Sequence, residues 1–331
     1  MNVAVVGLGY WGPNLLRNFV SNEQVSGVGC FDLNPERVKG VRTRLPHVRI
    51  FSSIDELLSS DMDAVAIATP VSTHHTLGMK ILERGKHLLV EKPMAATTQE
   101  CEDLIDMAAK HNVVLMVDHT FIYTGAVKKI KEMISTGLLG DIYYFDSVRV
   151  NLGLFQHDVN VLWDLAPHDI SIMGYVINRK PTAVSAVGVH HINGHEDVAY
   201  LTVHFDSGLI AHFHVNWLAP VKIRRILIGG SKQMIVYDDM QPSEKVRVYD
   251  KGVEVTTQEG IYNTLVQYRT GDMYAPRIED SEALGLLTKE FVSSIQEQRQ
   301  PLTNGESGLN VVRILEAADH SMKHAGKVIQ L

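Results

Sequence analysis

The chain has 331 residues, 45% hydrophobic and 21% charged, an ordinary globular balance and longer than a single core is expected to grow, so two domains are expected. A net charge of −7 without any Lys/Arg block argues against a nucleic-acid partner. Two cysteines in no metal or CxxC spacing, no apolar stretch long enough to span a bilayer, and no basic leader before the first strand point to a reducing, cytoplasmic setting without export or membrane insertion.

The first element is an apolar strand, Asn2–Val6, running into Gly7-Leu8-Gly9-Tyr10-Trp11-Gly12. A GxGxxG turn alone is a weak signal, since glycine serves turns of every kind. Here an amphipathic segment with Leu15, Leu16 and Phe19 follows it. A second apolar run, Val25–Phe31, then ends in Asp32, 20 residues beyond Gly12. That order is the dinucleotide-binding pattern: glycines admit the pyrophosphate, a helix N-terminus faces it, and the acid takes the ribose hydroxyls. Asp32 also suits a turn before Asn34-Pro35. As a carboxylate it repels a 2′-phosphate, so NAD is expected over NADP.

Further strands are predicted at Ala64–Ala68, His87–Val90 and Val113–Val117, with helices near 13–20, 35–44, 73–84 and 98–111. Strands alternating with helices mean βαβ crossovers and a parallel sheet, so residues 1–118 are expected to form a doubly wound Rossmann domain that binds NAD. From Asp118 the texture changes. A helix over Gly125–Thr136 leads to a strand at Ile142–Val150, and another helix falls near 163–177. A strand-dense block follows at Thr182–His191, Val198–Phe205, Leu209–Asn216, Ile223–Ile228, Met234–Tyr237 and Lys245–Tyr249, which predicts a mainly antiparallel sheet. Residues 257–280 read as a long ordered loop. Two closing helices are expected, one capped at Asp280 or Ser281, the other over about 306–324. Residues 119–331 are thus expected to be an α+β domain.

Three segments carry polar residues where chemistry would need them. Thr69-Pro70…His74 follows the Ala64–Ala68 strand, at the edge where doubly wound sheets bind ligands, and Thr69 and His74 are expected to reach the nicotinamide end. The same segment also reads as a Thr-Pro turn with an N-cap at Ser72 or Thr73. Glu91-Lys92-Pro93 follows the next strand, where an ammonium can hydrogen-bond a substrate hydroxyl. A Glu-Lys pair at a strand end is elsewhere a solvated rim. Asp164 and His168 stand four apart on one helix face, with Pro167 expected in the first turn. A carboxylate can orient an imidazole whose pKa suits proton transfer near neutrality, although by itself the pair also reads as a charge pattern at a helix start.

These marks together resemble the Gfo/Idh/MocA oxidoreductase family, over essentially the whole chain. The resemblance implies a Rossmann domain plus a C-terminal domain on an open, mainly antiparallel sheet used for dimer or tetramer packing. It implies that Lys92 and His168 flank the reacting carbinol with Asp164 in support, either of the first two being the proton acceptor, and that Gly7, Gly9, Tyr10, Trp11, Gly12, Asp32, Thr69, Pro70, His74, Glu91 and Lys92 hold NAD. One departure stands out: Asn160-Val161-Leu162-Trp163 replaces the Gly-Gly run of many members, so the substrate pocket is not carried over. The stretch from Arg149 to Asp164 is similar to a subgroup that oxidises the 3-hydroxyl of UDP-N-acetylglucosamine-type sugars in bacterial surface-polysaccharide pathways. Arg149, Asn151, Asn160, Arg224 and Arg277 are candidates for substrate phosphate, carboxylate or acetamido groups. Alternatives are a dehydrogenase of a free sugar or inositol, an NAD-dependent glycosidase and a non-catalytic NAD-binding regulator. His190-His191, His195 and His212-x-His214 are read as sheet residues, with no metal site expected.

Overall fold

A computed structural model describes residues 1–153, 159–192, 194–206, 208–250, 252–254, 267–269 and 271–331. Two compact units emerge: Met1–Thr124 with Ser281–Glu316, and Gly125–Asp280 with Ala317–Leu331. The expected division at 118/119 follows the sequence, whereas in space the first unit also takes the returning segment 281–316.

The first unit is built on six parallel strands, β1 (Asn2–Val6), β2 (Gly27–Phe31), β3 (Arg49–Ile50), β4 (Ala64–Ile67), β5 (His87–Glu91) and β6 (Leu115–Asp118), in the order β3-β2-β1-β4-β5-β6. Val3 to Val6 and Ala64 to Ile67 are buried without a break, because helices cover both faces of such a sheet. The crossovers are α1 (Gly12–Val20), α2 (Pro35–Arg44), α3 (Ile54–Leu58), α4 (His74–Glu83) and α5 (Thr98–His111). Local chemistry sets their ends. Asn34, Ser53 and Thr97 cap α2, α3 and α5 by accepting from Glu36 N, Glu56 N and Glu100 N, and Asn112 closes α5 at φ 52°. The short β3 and α3 do not figure among the sequence expectations.

The returning segment supplies α8 (Ala283–Gln296) and the first turns of α9 (Gly305–Lys323). Phe291 of α8 lies edge-on to Phe19 of α1 at 6.3 Å, and Arg17 pairs with Glu282, the N-cap residue of α8. The expected cap at Asp280 or Ser281 is therefore two or one residues early. Thr303 donates through Oγ1 to Val117 O at 2.7 Å and accepts from Val117 N at 2.8 Å, so the outer edge of β6 is covered.

The second unit opens with α6 (Gly125–Ser135), β7 (Ile142–Leu152) and α7 (Val161–Val176). Then come β8 (Ala183–Val189), β9 (Val198–His204), β10 (Ile210–Asn216), β11 (Leu218–Gly230), β12 (Met234–Asp238) and β13 (Val246–Tyr249). The short strands β14 (Gly252–Glu254), β15 (Gln267–Arg269), β16 (Met273–Tyr274) and β17 (Ile329–Gln330) complete the set. Among the described residues nine strands form one sheet, β16-β13-β12-β11-β7-β10-β9-β8-β17, in which only β7 and β10 pair in parallel. This is the expected open, mainly antiparallel sheet. The anticipated 257–280 loop partly lies outside the described residues; within it, Gln267–Arg269 and Met273–Tyr274 are strands. One face of the sheet packs on α7 through Phe145, Leu201, Phe213 and Val215, all buried.

Candidate active site

The glycine turn begins where β1 ends. Gly7 adopts φ +91°, and a Cβ there would lie 2.5 Å from Ala68 O, so only glycine fits. A Cβ on Gly12 would collide with Gly7 O, which fixes the close approach of α1 to β1. At Gly9, by contrast, a Cβ would meet nothing within 4 Å: the backbone is bare on that side. Next to it α1 starts with proline in its first turn, no acidic residue there, and no side-chain cap. This is a cradle for a pyrophosphate at a positive helix end, and the residues present fit a dinucleotide. Tyr10 and Trp11 form the rim, 82% and 41% exposed, with their rings edge-to-face at 5.4 Å. Asp32 ends β2. Its Oδ2 accepts from Leu8 N at 2.6 Å and its Oδ1 from Asn34 N at 2.7 Å, so it braces the turn.

Ala68 and Thr69 follow β4, the neighbour of β1, and Lys92 follows β5, the neighbour of β4. Thr69 is half-buried with its hydroxyl 2.6 Å from that of Thr73, and Pro70 is exposed. His74 is placed otherwise than expected. It is buried, with Nε2 2.8 Å from Thr69 O and Nδ1 3.0 Å from Pro93 O. Both nitrogens are engaged by backbone carbonyls, so His74 is a strut between two loops, not a group reaching for the nicotinamide. Burial pulls its pKa down, while the carbonyls it touches draw it up. Lys92 is half-buried and its bond to Pro93 is cis.

Glu91 also departs from the expected role of cofactor contact. It is buried and sits in register with Asp118 on β6; its Oε2 accepts from Lys92 N at 3.2 Å. Burial and the neighbouring Asp118 push its carboxyl well above the usual range. Asp118 is buried too, and Thr120 Oγ1 donates to its Oδ1. Next to it His119 is fully enclosed, and among the described residues neither ring nitrogen has a hydrogen-bond partner. Burial first, and then the charge of Lys92, hold its pKa down at about 3, so its ring is neutral. Asp118 and His119 were missed by the sequence reading, although the signal that marked Lys92 applied to them: polar residues directly after an apolar strand at the carboxyl edge.

In the second unit α7 carries Asp164 and His168. Pro167 is the seventh residue of this helix, not part of its first turn, because the helix starts at Val161 and not near 163. Asn160, expected to bind substrate, is instead the N-cap: its Oδ1 accepts from Leu162 N and Trp163 N. Its amide nitrogen donates to Asp319 Oδ1 at 3.0 Å and Glu196 Oε2 at 3.2 Å. Trp163 Nε1 adds a 2.8 Å bond to Asp319 Oδ2, which anchors the start of the helix on both sides. Asp164 Oδ2 accepts from the indole of buried Trp217 at 3.0 Å, one helical turn before half-buried His168. Trp217 thus orients the carboxylate, a role that no local motif marks.

Arg149 is a second correction among the substrate candidates. Ser147 and Arg149 alternate along the inner face of β7, and Asp169 of α7 comes down onto both. Arg149 holds Asp169 by two bonds of 2.9 and 2.6 Å with both side chains buried, which makes it a structural pair under the helix. Arg224 pairs with Asp239 at 3.2 Å, and Arg277 is exposed. Asn151 is half-buried at the end of β7. Of the histidines read as sheet residues, His214 stacks on Tyr200 at 4.5 Å and His191 bonds Asp197 at 2.7 Å.

Two family models match this chain: residues 1–119 match the oxidoreductase family, NAD-binding Rossmann fold, and residues 127–236 the GFO/IDH/MocA C-terminal domain. It is 28% identical over 316 residues to UDP-N-acetylglucosamine 3-dehydrogenase of Acidithiobacillus ferrooxidans, covering 94% of each chain. A solved structure of that enzyme, GnnA, superposes with a TM-score of 0.80 over 98% of this chain and 99% of its own. GenD2 from gentamicin A biosynthesis, solved in complex with NAD, shares the fold at a TM-score of 0.84 and 22% identity, covering 100% and 96%. With the glycine cradle, the strand order and both domain matches in agreement, the chain belongs to the Gfo/Idh/MocA family and is an NAD-dependent oxidoreductase acting on a CH–OH group.

Proposed function

We propose that this enzyme oxidises the C3 hydroxyl of a UDP-N-acetylglucosamine-type sugar in a bacterial surface-polysaccharide pathway, in the cytoplasm. The observation that carries the catalytic half is the sheet edge. The glycine turn, Thr69-Pro70 and Lys92 follow three neighbouring parallel strands, so the lysine rises from the edge that carries the cofactor cradle. The substrate half is supported by the full-length similarity to a UDP-N-acetylglucosamine 3-dehydrogenase.

NAD bound at the cradle supplies the hydride acceptor. His168, oriented through Asp164 and Trp217, takes the hydroxyl proton, and Lys92 donates a hydrogen bond to the oxygen as negative charge develops. Asn151 is retained as a substrate contact, and Tyr10, Trp11 and Asp32 as cofactor contacts. Two or four copies associate through the outer face of the C-terminal sheet, a reading supported by exposed Val187, Val189, Tyr200 and Ile210 on that face.

The test is NADH formation on a panel of UDP-sugars and free polyols. NADH accumulating with UDP-N-acetylglucosamine or its uronic acid supports the reading. NADH with a free polyol alone moves the substrate class, and sugar release without net NADH makes the enzyme a glycosidase. Silence with intact NAD binding overturns both substrate classes.

A further inference from the structure

Strands β5 and β6 are parallel neighbours, and Glu91 and Asp118 are register partners at their carboxyl ends, so the two side chains leave the sheet on the same face. Both are buried, at 8% and 2% exposure. Two carboxylates enclosed side by side cannot both ionise, because each lacks water and repels the other. The hydrogen bonds say where the proton goes. Asp118 Oδ1 receives the Thr120 hydroxyl, but among the described residues Oδ2 receives no N–H or O–H from the ionised chain. Glu91 Oε2 accepts from the Lys92 amide at 3.2 Å, leaving its Oε1 to carry hydrogen.

We propose that Glu91 is protonated and donates a hydrogen bond to Asp118, and that the ionised Asp118 is the fixed counter-charge of the Lys92 ammonium. The cluster is then balanced: one ammonium, one carboxylate, a neutral carboxyl and the neutral ring of His119. Burial lifts both carboxyls above their usual range, Glu91 the further, which agrees with a single proton residing there. Tyr123 also faces Asp118; its hydroxyl lies 3.1 Å from Thr303 Oγ1 and burial raises its pKa, so it adds no charge. Asp118 is in this sense a positioning residue. Its negative charge acts on the Lys92 ammonium at the sheet edge. The link to turnover rests on the role of Lys92 proposed above; the shared proton does not.

The experiment has two arms, both on the full chain. Infrared spectra in H2O and D2O at pH 7 should show the stretch of a protonated buried carboxyl in the wild type and not in Glu91→Gln. Absence of that band, or its survival in Glu91→Gln, overturns the proton assignment whether or not any sugar is turned over. In the second arm Glu91→Gln, which keeps the anion on Asp118, is compared with Glu91→Gln/Asp118→Asn, which removes it. The double variant should have a kcat at least about tenfold below that of the single one, at similar KM for NAD, the scale of losing one positioned charge. Equal turnover in the two variants overturns the counter-charge role. If no substrate is found, the band alone decides the proton, and the failure lies with the dehydrogenase reading.

Discussion

Acid should destabilise this protein through His119. The ring must be neutral in the fold, with its pKa at about 3 against an ordinary 6.5, so below 6.5 the unfolded chain binds a proton that the folded chain does not. Stability from this group is therefore complete above pH 6.5 and is lost as pH falls towards 3. At about 1.4 kcal/mol per decade of proton concentration, the whole gap amounts to about 5 kcal/mol, and the part lost between pH 7 and pH 5 to about 2 kcal/mol. The perturbation is His119→Leu, which keeps a comparable volume and removes two polar atoms that lack partners among the described residues. Urea unfolding of both proteins at pH 7 and pH 5 gives the double difference, which cancels every other titrating group. The wild type should lose about 2 kcal/mol more than the variant over that interval. Parallel losses would show that the ring is solvated or already charged, and the account of its surroundings would be wrong.

Lys92→Ala should reduce kcat by roughly a hundredfold while NAD binding, followed by fluorescence titration, stays intact; undiminished turnover removes the lysine from the chemistry. Arg149→Met strands Asp169 in the core and should cost about 3–5 kcal/mol in urea unfolding, most of it recovered in Arg149→Met/Asp169→Leu. An arginine that served substrate instead would move KM with little change in stability. Gly12→Ala places a methyl against Gly7 O, so NAD affinity should fall at least about tenfold in calorimetry; retained affinity would mean the turn relaxes without loss of the cradle.

Much of the fold could be read from the sequence where the determining interactions are local. The unbroken apolar strands, the glycine turn, and caps such as Thr97 with Glu100 lie within a few residues of what they specify. A two-residue strand such as Arg49–Ile50 carries no period to detect, and it exists only because β2 offers it an edge. The candidate site was legible only as residue types and positions. Lys92, Asp164 and His168 were picked out by type and position, yet whether a polar side chain is available depends on a partner that spacing does not show. Arg149 meets Asp169 across a strand and a helix, Asn160 meets Asp319 from a distant helix, and Trp217 reaches Asp164 from the β10–β11 connection. His74 was misjudged for the same reason, since its carbonyl partners belong to two loops that only the sheet brings together.

The path of the chain through segment 281–316 bears on biosynthesis. Thr303 fastens to Val117, and Phe291 fills the space beside Phe19. Until those residues have left the ribosome, the nascent nucleotide-binding half must wait with an open flank on β6 and a bare apolar stripe on α1. Such an intermediate is a natural client for holdase chaperones and a point where truncation or slow translation would divert the polypeptide into aggregates.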